Sequence, residues 1–269
     1  MAPILQELFD SPSDYTQVGT EISAGVARLI DNRPANATFW ASFTSTFDGG
    51  WGGGVLTAAN TGFTLSGGKA VANGANGSSS RLSYDATSNA SSLQTGCVRI
   101  KVTPNYSGAS PTGQTQYFFT ISQANGSNNN LVQLYHASSG QIGLNIFSNS
   151  AATIVSATLG AWSPVSGTEY EIELNWDITT GATRIFIDGV QFGSTQTVTG
   201  TRSGAVALLR IGEPSTAGTA GAKFSLSSIL VFSTVQHTAN YTPSATLPEG
   251  IYDTGTIENL HRDFCRDRS

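Results

Sequence analysis

Glu169, Glu171 and Glu173 stand at alternate positions in the run EYEIELNWD, with Tyr170, Ile172, Leu174 and Trp176 between them. On an extended strand, residues two apart project from the same face, so this spacing puts three carboxylates on one side and an aromatic and aliphatic set on the other. Glycoside hydrolysis uses such carboxylates, one as acid and another as nucleophile or base. The same row also has a simpler reading. In CVRIKV, Arg99 and Lys101 alternate with Val98, Ile100 and Val102. If the two strands share a sheet, basic and acidic ladders pair across a solvated charged face. That arrangement is the one expected, with no catalytic residue on the strand.

Other reactive constellations are sparse. The three histidines, His136, His237 and His261, lie in no metal-spaced motif, and no Gly-x-Ser-x-Gly elbow or phosphate loop accompanies them. No cofactor and no metal are expected, although Asp85, Asp177 or Asp188 could contribute to a calcium site. Cys97 and Cys265 make no zinc or redox pair, and Cys97, within an apolar run, reads as a small buried hydrophobe. Three features could contact a ligand. Trp51, in DGGWGGG, offers a flat indole that suits a sugar ring, or else folds back over a sheet edge. Asn128, Asn129 and Asn130 offer amides to a polyol, or simply make a turn. His136, at a strand end, serves either a ligand or a structural hydrogen bond.

Strands must position all of these residues. The chain has 269 residues with 30 Gly and one Met, and short β-branched or aromatic runs recur between Gly, Ser and Asn clusters. About a dozen strands are predicted between residues 37 and 243, without a competing helical period. Asp188-Gly189 suits a tight hairpin with positive φ. Trp40 and Trp176, in alternating strands, read as core.

Charge marks the boundaries: the first 36 and the last 29 residues carry about half of the charged residues. Residues 1–36 read as an N-terminal extension with a docking helix at Pro3–Phe9 and a strand, residues 37–243 as one domain, and residues 244–269 as a charged tail. In that tail Ile257, Leu260 and Phe264 share one side of a helix with Arg262 among the residues around them, a pattern suited to packing on the domain or on a neighbouring subunit. A net charge of -5 without a basic stripe argues against nucleic acid. No run of about twenty apolar residues argues for membrane insertion, and the start MAPILQELFD does not read as a signal peptide.

The string EYEIELNWDITTGATRIFIDG, Glu169 to Gly189, resembles the central hairpin of laminin G and pentraxin-type domains. RLSYD, CVRIKVTPNYSG and ILVFSTVQHTANYTP resemble segments of concanavalin A-like domains encoded in phages and prophages. This resemblance spans residues 37–243. It implies an all-β fold, an antiparallel two-sheet β-sandwich of the concanavalin A-like jelly-roll kind with short terminal extensions. It further implies a non-enzymatic structural protein of a phage virion, such as a tail fibre, baseplate or capsid-surface component. Its partners would be other virion proteins, copies of itself in a homo-oligomer, and a cell-surface glycan. Two alternatives stay open. One is a free lectin. The other is a carbohydrate-active enzyme, because the Glu169–Glu173 row resembles the catalytic strand of family-16-type glucanases, although Glu171 replaces the central Asp and Asn175 stands where the second frame needs an acid.

Overall fold

A computed structural model describes residues 18–23, 26–31, 37–43, 47, 49–51, 54–56, 58–72, 80–85, 94–109, 113–122, 130–147, 153–197, 200, 208–212 and 222–243. Two compact units divide the chain, one formed by Ala37–Pro243 and the other by Met1–Asn36 with Ser244–Ser269. In the terminal unit, strands β1 (Val18–Ser23) and β2 (Val26–Asp31) form an antiparallel hairpin. The Pro3–Phe9 helix and the tail residues Ile257, Leu260, Arg262 and Phe264 lie outside the described residues.

The central unit is a sandwich of two antiparallel sheets. Numbered along the chain, the first sheet runs β17 (Val190–Thr197), β16 (Ala182–Ile187), β15 (Tyr170–Asp177), β10 (Thr95–Pro104), β19 (Phe224–Phe232), β3 (Ala37–Ser42), β4 (Gly49–Trp51) and β5 (Gly54–Leu56). One end of β19 also pairs with β8 (Lys69–Ala72), which is flanked by β7 (Phe63–Ser66). The second sheet runs β14 (Thr153–Ala161), β13 (Gln141–Phe147), β12 (Asn130–His136), β11 (Gln116–Ser122), β18 (Leu208–Gly212), β9 (Arg81–Asp85) and β6 (Ala58–Thr61). The predicted sandwich is thus the observed one, and the described residues contain no α-helix.

Alternation explains the core. Ile172, Leu174 and Trp176 on β15 meet Val98, Ile100 and Val102 on β10 and Ile229 and Val231 on β19, all turned toward Leu134, Leu144, Ile146 and Ile211 of the facing sheet. Every polar residue between them is thereby turned outward. Trp40 is a correction to the expected core: Phe39 and Ala41 point inward, so Trp40 faces out opposite Leu230, only partly buried. Asp188 and Gly189 adopt positive φ of 49° and 77° and close the β16–β17 hairpin, as their sequence suggested.

The turn leaving β15 is fixed by Asp177. Its Oδ1 accepts from the Thr179 and Thr180 amides and the Thr179 hydroxyl, and its Oδ2 accepts from the Thr180 hydroxyl. Burial works against ionisation, but these donors outweigh it and bring the carboxyl down to about 2. A depressed folded pKa stabilises the fold above the unfolded value and loses that contribution as pH falls through the folded one. Because the group is largely exposed, Asp177→Ala should cost only about 0.5 kcal/mol at pH 7. Urea unfolding at stepped pH should show the difference from the parent vanish between the ordinary carboxylate value of 3.8 and about 2.

Candidate functional site

The register pairs Arg99 with Glu173 and Lys101 with Glu171, so the expected basic and acidic ladders do face each other. The expected solvated face does not exist. Residues 233–243, directly after β19, cross this side of the sheet as a strap, leaving Glu171 5% and Glu173 0% exposed. Arg99 donates to Glu173 Oε2 from Nε at 2.8 Å and from Nη2 at 2.7 Å. Asn175 Nδ2 donates to Glu173 Oε1 at 2.5 Å, and His237 Nδ1 donates to the same oxygen at 2.8 Å. Tyr241 donates its hydroxyl to Glu171 Oε1 at 2.9 Å, while its ring stacks on His237 at 3.6 Å. The Gln236 amide, donating to Asn175 Oδ1, completes the closure.

This network is electrostatically closed. Burial penalises the Arg99 charge, yet the charge and hydrogen bonds of Glu173 outweigh it and raise the guanidinium pKa. Burial also raises the Glu171 carboxyl, and Arg99 and Tyr241 only partly offset that. Tyr241 is pushed up by burial and by both carboxylates, and Cys97, fully buried beneath them, is pushed up chiefly by burial. Glu169 is the exposed member: it pairs with Lys69 at 2.9 Å and accepts from the Ser227 hydroxyl. Glu171 and Glu173 are therefore committed to internal partners and do not line an open groove.

The binding residues read from sequence are scattered. Trp51 ends β4, its backbone opposite Phe39, and its side chain lies outside the described structure. Asn128 and Asn129 lie outside the described residues, and of Asn130 only the backbone, opposite Ser122, is described. His136 is a correction: it is 0% exposed and points inward, with Nδ1 2.8 Å from the Tyr106 hydroxyl and its ring edge-on to Trp162. Burial lowers its pKa against the opposing carbonyls of Gly140, Ala109 and Trp162. Nε2 makes no hydrogen bond. Of the suggested calcium ligands, Asp177 is saturated by its turn and Asp188 Oδ1 accepts from the Glu171 amide. No cluster of three or more metal-ligating side chains occurs among the described residues.

A different surface brings functional groups together. On the seven-stranded sheet, Ser83, Arg210, Thr120, Gln133, Asn145 and Ser156 are successive cross-strand partners over six strands. Their chain neighbours Leu82, Leu209, Ile121, Leu134 and Leu144 point into the core, so the row faces outward. Beside it runs a second row, Tyr117, Tyr135, Gly143 and Thr158. Tyr135 lies down across Gly143: a Cβ on Gly143 would stand 2.5 Å from its ring. Burial raises the Tyr135 pKa, and the nearby side chains of Ser156 and Asn145 work against that. Asn145 Nδ2 also donates to Gln133 Oε1 at 3.0 Å.

The result is a partly buried aromatic ring lying across Gly143, beside Asn145, Ser156 and Thr158. Ser156 and Thr158 are exposed, whereas Gln133, Arg210, Thr120 and Ser122 are buried, the last two with hydroxyl oxygens that make no hydrogen bond. Sequence reasoning missed this surface because it requires the register of four strands. Its only local signal was Gly143 inside the strand IGLNIF, where a glycine marks a close approach.

No protein-family model and no curated protein matches the chain. Among solved structures, a sialidase of Trypanosoma rangeli in complex with sialic acid matches at 13% identity and a TM-score of 0.57, over 82% of this chain and 34% of its own. The binding domain of botulinum neurotoxin serotype G matches at 14% identity and 0.51, over 75% of this chain and 49% of its own. The ligand binding domain of serotype D, in complex with N-acetylneuraminic acid, matches at 9% and 0.50, over 75% and 48%. The chain thus spans about a third of the sialidases and about half of the neurotoxin domains it matches. The expectation of a non-enzymatic protein is corrected here, because the fold is shared with glycosidases and gives no ground for setting catalysis aside. At such identities the likeness is one of architecture, and this chain is an antiparallel β-sandwich similar to those of sialidases and neurotoxin binding domains.

Proposed function

We propose that the chain is a carbohydrate-binding β-sandwich whose site is the outward face of the seven-stranded sheet around Tyr135. One observation carries the reading: Tyr135 is packed flat across Gly143, which gives a preorganised ring beside Asn145, Ser156 and Thr158, groups that can both donate to and accept from sugar hydroxyls. A ring fixed before binding loses little freedom on complexation. Sialidases and a neurotoxin domain crystallised with a sialic acid share the architecture, which supports the class of ligand.

Tyr135→Ala should abolish specific retention on a glycan array, a loss of about tenfold or more in affinity, while the thermal midpoint changes little. Retention equal to the parent's would remove Tyr135 from the site. The setting we propose for this binding is a phage particle, in which the domain meets a host glycan and its charged ends contact copies of itself or other virion proteins. The sequence likeness of Arg81–Asp85, Cys97–Gly108 and Ile229–Pro243 to phage-encoded domains supports it. Antibody labelling of purified particles tests it, and particles that carry none of the chain would refute it.

A further inference from the structure

The carbohydrate-binding reading, on which this inference rests, leaves open what kind of glycan the face takes. Strands β11 to β14 contain no Asp, Glu, Lys or Arg, and their one histidine, His136, points into the core. An acidic sugar on this face would give up water around its carboxylate without a cation on any of the four strands, which is costly. Arg210 is one strand further away on β18 and is 3% exposed. Neutral hydroxyls meet the opposite situation, since Asn145, Ser156 and Thr158 supply donors and acceptors without charge.

Direction follows from the register. Tyr117 and Tyr135 are cross-strand partners with ring centroids 5.7 Å apart and a tilt of 47°, both half-buried. Adjacent strands lie about 4.8 Å apart, close to the advance of an extended sugar chain per unit. Successive units crossing the strands therefore meet successive strands, with rings on one side and the amide row on the other. We infer that the face takes an uncharged, linear glycan of two or more units, laid across the strands along the Tyr117–Tyr135 row.

The test uses the full chain and immobilised β-1,4-linked glucose and N-acetylglucosamine oligomers of one to six units, beside sialyllactose and free N-acetylneuraminic acid. Affinity should rise about tenfold or more from one unit to three for one of the neutral series, and should be unchanged between low and high salt. Tyr117→Ala should remove most of that gain with length. Tighter, salt-sensitive binding of the sialylated probes would overturn the inference and leave the carbohydrate reading standing, as would a single neutral unit bound as well as a trimer. If no probe is retained, the carbohydrate reading itself falls, and the inference with it.

Discussion

Arg99→Ala should lower the unfolding free energy by about 3–5 kcal/mol, read from the urea midpoint at neutral pH. The reason lies in what it leaves behind more than in what it removes. Glu173 would keep a fully buried carboxylate that loses both guanidinium bonds, with only Asn175 and His237 to hold it. Arg99 also lies 5.6 Å from the centroid of the Tyr241 ring and 5.7 Å from that of Phe232, so the strap loses packing as well. The double variant Arg99→Ala/Glu173→Ala should be less destabilised than the sum of the single variants, because it removes the stranded charge. Strict additivity would mean that the two side chains do not act as a pair.

Trp176→Ala should cost a similar amount, about 3–5 kcal/mol, by opening a cavity between the sheets. The indole is fully buried and lies against Gly96 on the neighbouring strand, where a Cβ would stand 2.2 Å from its ring. Gly96 is thus half of the same fit, and Gly96→Ala should destabilise by about 1–3 kcal/mol through overpacking. Combining Gly96→Ala with Trp176→Leu should recover part of that second loss, since the smaller side chain vacates the space. If Gly96→Ala proves neutral in differential scanning calorimetry, the close ring contact does not constrain the core.

How much of this was legible in the sequence depended on the range of the interaction involved. Alternation in EYEIELNWD and CVRIKV shows both faces of β15 and β10, and opposite charges on the outward faces point to facing ladders, while the pairing of Arg99 with Glu173 is set by the register. Asp188-Gly189 declares its own turn because its conformational needs are local. Burial of the outward face could not be read in this way. It depends on residues 233–243 returning from more than fifty positions away, and STVQHTANYTP carries no strand pattern of its own. The Tyr135 site was hidden for the same reason: Tyr117, Tyr135, Asn145 and Ser156 look unremarkable along the chain and meet only through the register. For His136 a ligand role and a structural hydrogen bond both stayed open in the sequence, since a histidine near a strand end reads alike whether it points in or out, and the structure shows the second.

The strap has a consequence for synthesis. A ribosome releases Arg99 and Glu173 long before His237 and Tyr241, so for a period the nascent chain holds every strand of the sandwich through β19 while one sheet still presents an ionic, half-satisfied surface. Only the last eleven residues of the central unit, 233–243, seal it. A chain stalled or clipped after Phe232 would therefore carry a complete set of strands and an unfinished molecule, with its acidic and basic groups wet and its sheet open to whatever polar segment arrives next.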